Sequence, residues 1–278
     1  MRISVQLKIE SYNEAQELGG NMLNYIKSEL YRIRTSKGTY VMFILFSVLV
    51  VLFNLMIYGF KMADSTFPYA TTKFSLGTLA DSLQMLILIC LVIASVVFAG
   101  EFKNNTIKNI VSFGISKTQM YIGKYIVTLL FAFILMPVVA FIYALSAYIL
   151  LDNSGSQYLI LFIKSLVINL PIFISCITLG MALFFAVQNE VTGYWIWGTI
   201  IVIVPMVLAL IGMKVDLLAD IAKWLPWNLV ASGEMTDTGY VYEWGTYSGA
   251  VKSIISGVGF SIVFFIIGIT TFRKTEIK

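Results

Sequence analysis

Six stretches of the chain, 40–59, 82–100, 126–151, 166–187, 194–212 and 253–271, are almost wholly apolar. A bilayer core about 30 Å thick takes about 20 helical residues at 1.5 Å rise, and each stretch meets that demand. None alternates with the period of two that a barrel strand would show. Of 278 residues, 59% are hydrophobic and only 12% charged, with a mean hydropathy of +0.87. Soluble domains carry about a quarter charged residues. The expected fold class is therefore an all-α membrane protein with six transmembrane helices, spanning 40–272 as one unit.

Six spans place both termini on one side. The segment before the first span carries Lys27, Arg32, Arg34 and Lys37, and the tail at 273–278 carries Arg273, Lys274 and Lys278. The connection between the second and third spans adds Lys103, Lys108, Lys117 and Lys124. The alternate loops hold Asp64, Asp152, Asp216, Asp220, Glu234, Asp237 and Glu243. The bias of positive charge predicts that both termini and the 100–124 connection face the cytoplasm. The net charge of +4 then reads as membrane orientation and not as nucleic-acid binding.

There is no histidine, which removes zinc-protease motifs, histidine-assisted nucleophiles and histidine-ligated haem together. Cys90 and Cys176 both fall within spans and read as small buried hydrophobes. No metal site is expected.

Residues 1–21 are polar and hold no span or secretion signal. Codons for Gly19-Gly20 can spell a purine-rich ribosome-binding sequence, so Met22 reads as an alternative start, which the intact mass of natively expressed protein decides. From Met22, Leu23, Ile26, Leu30 and Ile33 recur at helical spacing among basic residues. That pattern predicts an amphipathic helix over 22–39, lying at the membrane surface; the other reading is a helix packed on the protein itself.

The 60–80 segment reads as a short polar outer loop, and Asp81-Ser82-Leu83-Gln84 as a cap opening the second span. Pro137, Pro171 and Pro205 fall inside the third, fourth and fifth spans, where kinks open a lateral cavity or serve structure alone. Asn54 and Asn169, the polar residues within spans, are expected to bond across helices. The long outer segment 213–252 is rich in Trp and Tyr, including Trp224, Trp227, Tyr242, Trp244 and Tyr247. It is expected to hold a short helix near 215–225, and its aromatics read as a belt at headgroup level anchoring the last span or as a substrate contact.

The connection between the second and third spans is the densest polar stretch in the chain. Asn104, Asn105 and Thr106 offer capping oxygens before Ile107, Ile110 and Val111, which line one face of a short helix. Gly114 suits its end, and Ser116-Lys117-Thr118-Gln119 is a capping box that restarts helix into the third span. The reading is helix, break, helix beneath the membrane, exposing Phe102, Ile107, Ile110 and Phe113. Glu101 is placed to pair with Lys103, Lys108 or a basic group from another loop; solvated boundary charges explain these residues equally well.

These residues resemble the permease subunits of type-2 ATP-binding-cassette exporters. The signature is a Glu ending the second span, a Gly-Thr pair, a short apolar helix, a small-residue turn with Ser and a basic residue, and a Gly-Lys pair. Here it reads Glu101, Asn105-Thr106, 107–113, Gly114-Ile115-Ser116-Lys117 and Gly123-Lys124, with Asn105 departing from the usual Gly. The resemblance extends from Met22 to the end. It implies that the loop is a coupling helix docking on a separate ATPase, with Glu101, Phe102, Thr106, Ile107, Ile110, Val111, Phe113 and Lys117 at that contact. It also implies a second permease copy, identical or closely homologous. Gly193, Gly198, Gly257 and Gly259 are candidates for close helix approach within or between copies. The chain has no G-x-x-x-x-G-K-[ST] phosphate loop, so ATP and Mg belong to the partner and no cofactor is expected on this chain.

Three function classes follow. The resemblance favours an ATP-driven export permease in a bacterial cell membrane, itself no enzyme. Its expected cargo is amphipathic peptides of the phenol-soluble-modulin or lantibiotic kind, with antibiotics or lipid-linked cargo as the alternative. A secondary transporter needs ionisable groups at bilayer depth, and none stands near a span's middle. A membrane-embedded enzyme would need a base or a metal at depth, and neither is visible.

Overall fold

Local hydrogen-bonding chemistry, more than hydropathy, sets where the helices start and stop. The computed structural model describes residues 22–98, 115–231, 233–236 and 239–275. Helix α1 occupies 22–35, and a break at Ser36 leads into α2 (Lys37–Ala63). Next, α3 (Thr72–Asp81) starts where the Thr71 side chain accepts from the Phe74 N–H. A break at Ser82 sends α4 (Leu83–Phe98) off at 62°. The 34-residue α5 (Lys117–Leu150) opens on the expected capping box, with Ser116 and Gln119 bonding reciprocally. Helix α6 (Gln157–Val187) ends at Gln188 in a left-handed conformation, φ 54°. Asn189 then caps α7 (Glu190–Gly198).

A wide π turn at Thr199–Ile203 joins α7 to α8 (Val204–Gly212). Pro205 has no N–H to give the carbonyl of Ile201, and the wider turn absorbs that gap without ending the span. The chain folds back at Gly212, where a Cβ would stand 2.7 Å from the Ala219 Cα of α9 (Asp216–Ala222). Then come α10 (Pro226–Ala231), a hairpin of β1 (Gly233–Thr236) and β2 (Gly239–Tyr242), and one 3-10 turn at Glu243–Gly245. The long α11 (Tyr247–Lys274) closes the described chain.

The protein is a mostly helical, multi-pass membrane protein. Among the described residues, five helices are long and apolar enough to cross a bilayer, and α3 with α4 forms a sixth only as a bent pair. Here the structure corrects the reading of 60–80 as plain loop, since its second half is α3. Asp81 ends α3 and does not cap α4; its carboxylate accepts from the Tyr242 hydroxyl. The 213–252 segment is thereby tied to the bend between α3 and α4.

Helix α6 is the hub. Of its most apolar window, 67% is buried, against 17–28% for the other four long spans. It runs parallel to α11, and two glycines let the pair close. A Cβ on Gly257 would collide with the backbone of Pro171 and Ile172. One on Gly268 would meet the Tyr121 ring and, at 2.8 Å, the Ala182 Cβ. On the other side, Asn54 stitches α2, α3 and α5: its amide donates to the Tyr143 carbonyl (3.1 Å) and Ser146 Oγ (2.7 Å). Its Oδ1 accepts from Ser75 (2.6 Å), and the Tyr143 hydroxyl donates to the Ser75 carbonyl. Asn169 departs from expectation by donating to the Ser165 carbonyl of its own helix. The aromatic belt is also only partial. Trp224 and Tyr247 are exposed, whereas Trp244 is buried and stacked on Tyr242 at 4.7 Å.

Candidate coupling site at the end of the bundle bearing both described termini

Residues 99–114 lie outside the described residues, and with them Glu101, Phe102, Thr106, Ile107, Ile110, Val111 and Phe113. What the structure describes is how the two flanks of that segment are held. One flank is Val97-Phe98 at the end of α4, and the other is the first two turns of α5.

Helix α1 spans both flanks. Its buried stripe is Tyr25, Glu29 and Ile33, spaced i, i+4, i+8, whereas Leu23 and Leu30 of the expected stripe stay exposed. The helix packs on the protein along one side, as the second reading expects, and leaves these apolar residues outward on another. Gly123 lets α5 close on α1: a Cβ there would lie 2.8 Å from the Tyr25 ring.

At the centre of this contact sits a carboxylate. Glu29 Oε2 accepts from Arg32 at 2.7 Å and from Lys124 Nζ at 3.1 Å. Arg32 also donates to the Val97 carbonyl at 2.7 Å. The Lys124 ammonium stands 5.5 Å from the Phe98 ring centroid, within cation–π range. One short network thus links α1, the end of α4 and the start of α5. Lys124 is 0% exposed and Glu29 4%. Burial pushes the Glu29 carboxyl up, but Lys124 and Arg32 together outweigh it and hold the group below its ordinary value of 4.5.

This arrangement corrects the view of Lys124 as one of several solvated boundary charges. Eight residues into a continuous helix, it faces the protein and not water. Glu29 was missed altogether. The available signal was a lone carboxylate centred between Tyr25 and Ile33 on a helical stripe, where an unpaired charge would be very costly.

The second flank is fixed differently. Lys117 donates from Nζ to the Thr275 carbonyl at 2.7 Å and to the Arg273 carbonyl at 3.4 Å, at the end of α11. A cation there also complements the helix dipole. Lys117 therefore ties α5 to α11. One turn on, Tyr121 lies against Gly268, with Phe185 at 4.9 Å and Phe265 at 5.5 Å between centroids. Its hydroxyl is buried without a hydrogen-bond partner among the described residues. Tyr121→Phe is expected to raise stability by up to about 1 kcal/mol by removing that unsatisfied group, as read from the melting temperature in detergent.

Of the four glycines expected at close approaches, Gly257 meets backbone as described and Gly193 lies under the Phe184 ring, 2.8 Å from a built Cβ. Gly198 and Gly259 face open space within this chain. Among the described residues no cluster of His, Cys, Asp or Glu could hold a metal.

The model of the ABC-2 family transporter proteins matches residues 25–206. That is well over half of the chain, and it covers most of α1, the polar connection and the helices from α2 to the start of α8. The chain belongs to the ABC-2 family of transporter proteins, and is a transmembrane permease component of an ABC transporter. No curated protein matches it.

Proposed function

We propose that this chain is the permease of an ATP-driven bacterial exporter. A separate ATPase docks on residues 99–114 from the cytoplasm, a second permease copy completes the pore, and amphipathic peptides are the cargo. The observation that carries this reading is the network of buried Glu29 and Lys124 with the partly exposed Arg32. It braces the polar segment from α1 at one flank, while Lys117 braces the other against α11. A segment clamped at both flanks passes a push from below into α4, α5 and α11 together, as a shift between two packings requires. The end that carries this cluster, with the termini, faces the cytoplasm on the charge bias.

The cargo assignment draws on where charge is buried. Glu29 and Lys124 are the only charged side chains buried among the described residues, both at that one end. A pathway without buried charge at mid-depth suits amphipathic cargo better than a small ion. The open faces at Gly198 and Gly259 suit close approach by the second copy.

Ile107→Asp/Ile110→Asp tests the docking surface. Co-expressed with its ATPase partner, the variant is expected to insert normally, lose co-purification with the ATPase, and lose ATP-driven peptide export from vesicles. Normal co-purification and export by the double variant would overturn the coupling role.

A further inference from the structure

A helix that breaks within a membrane frees backbone groups that hydrocarbon cannot satisfy. The break at Ser82 is such a place. Helix α4 has 16 residues, about 24 Å of rise, which falls short of a bilayer core about 30 Å thick and leaves its start inside that core. The first N–H groups of any helix have no partner within it. Here the Met85 N–H donates to the Ser82 carbonyl at 2.9 Å, and the Ser82 N–H to the Leu79 carbonyl at 3.1 Å. The N–H groups of Leu83 and Gln84 have no acceptor among the described residues.

Register sets what faces this helix start. Gly180 of α6 lies against α4, with its built Cβ 3.0 Å from the Ala94 Cβ. Toward the start of α6, Phe162 shares a core cluster with Leu76 of α3. Both pairs are 86 residues apart, so α3 and α4 together run along α6 in one parallel register. The buried stripes agree. Leu83, Ile87, Cys90 and Ala94 on α4 match Asn169, Phe173, Cys176 and Gly180 on α6, each set spaced i, i+4, i+7, i+11. Asn169 therefore stands at the level of Leu83. It is 0% exposed. Its Nδ2 donates to the Ser165 carbonyl at 2.9 Å, which turns Oδ1 away from its own helix, and Oδ1 has no partner among the described residues.

The two sets of groups are complementary, yet they do not bond directly. The N–H groups need a lone pair, and the Asn169 oxygen needs a donor. Water supplies both and is held by two to four such partners. An anion would satisfy the N–H groups but face the Asn169 oxygen, and a cation would face the positive end of the α4 dipole. Water also has a way in, because Asp81, next to the break, is exposed and bonds the Tyr242 hydroxyl.

We propose that the joint between α3 and α4 is an internal water site, held by the N–H groups of Leu83 and Gln84 and by Asn169 Oδ1. Asn169 is thereby a water ligand, and solvent completes the hydrogen bonding that the break interrupts. The assignment is independent of the ATPase and of cargo.

The test is X-ray footprinting of the full chain in nanodiscs, read by peptide mass spectrometry. Radicals born from a bound water oxidise the side chains touching it, even where bulk solvent does not reach. Leu83 and Ile87 are both 0% exposed and have side chains of like reactivity. Leu83 is expected to be oxidised about fivefold faster, as the neighbour of a buried water. Asn169→Leu, apolar and of similar size, is expected to bring Leu83 down to the rate of Ile87. Asn169→Asp, which keeps an oxygen in place, is expected to retain the difference. Equal rates at Leu83 and Ile87 in the unaltered protein would overturn the site. So would a difference undiminished in folded Asn169→Leu, since fraying of α4 would then explain it. Should Asn169→Leu aggregate, the unaltered protein and Asn169→Asp still decide.

Discussion

Glu29→Ala is expected to cost about 3–5 kcal/mol, the usual consequence of removing one partner from a buried ion pair. The carboxylate accepts from both Arg32 and Lys124, and without it Lys124 keeps its burial but loses that counter-charge. The expected readouts are a lower melting temperature in detergent and faster amide exchange across 22–35, because α1 is held to α4 and α5 by this group. An apolar pair, Glu29→Met/Lys124→Met, is expected to regain most of the stability, since well-packed apolar replacements of buried ion pairs are often neutral or better. Unchanged melting and unchanged exchange in Glu29→Ala would remove the brace from the account.

The same group gives a pH dependence of defined sign. Its folded value lies below the ordinary 4.5, so its contribution is complete above that value and lost as pH falls through the folded one. Exchange in 22–35, corrected for intrinsic rates, is expected to stay flat between about pH 7 and 5 and to rise only below the ordinary carboxylate range. A rise between pH 7 and 5 would mean that another group controls the docking of α1.

Gly257→Ala is the second large effect. The new Cβ would overlap the main chain at Pro171 and Ile172, and backbone cannot swing aside as a side chain does. Overpacking costs about 1–3 kcal/mol, and a backbone obstacle puts this case at the upper end. Helices α6 and α11 would have to separate, so the melting temperature is expected to fall together with accelerated exchange in both. Gly259→Ala, with nothing within 4 Å of its Cβ position, is the internal control. It is expected to be neutral within the chain or to gain up to about 1 kcal/mol from helix propensity. Equal losses at both positions would show that loss of glycine as such, and not the Pro171 contact, matters.

Much of the architecture was legible because its signals are local. Hydropathy placed the five long apolar helices, Ser116 and Gln119 announced the start of α5, and Pro205 marked the site of a broken helical ladder. The bend at Ser82 was not legible, since an apolar run looks alike whether it runs straight or turns by 62°. Nor was the inward turn of Lys124: beside Gly123, at the edge of a polar stretch, it has the same local context as a solvated lysine. Trp244 shows the converse error, where an aromatic suited to headgroups lies in the core because Tyr242 and the start of α11 enclose it.

The sequence by itself determined that this chain crosses a membrane on helices, because about 20 apolar residues have no other stable solution in hydrocarbon. It also determined that the chain carries no phosphate loop of its own, because that motif is a contiguous run of residues. Only the tertiary structure decided which charges are buried and which glycines touch. Glu29 and Lys124 lie 95 residues apart and Gly257 and Pro171 lie 86 apart, and no pattern along a helix encodes what will be set opposite it.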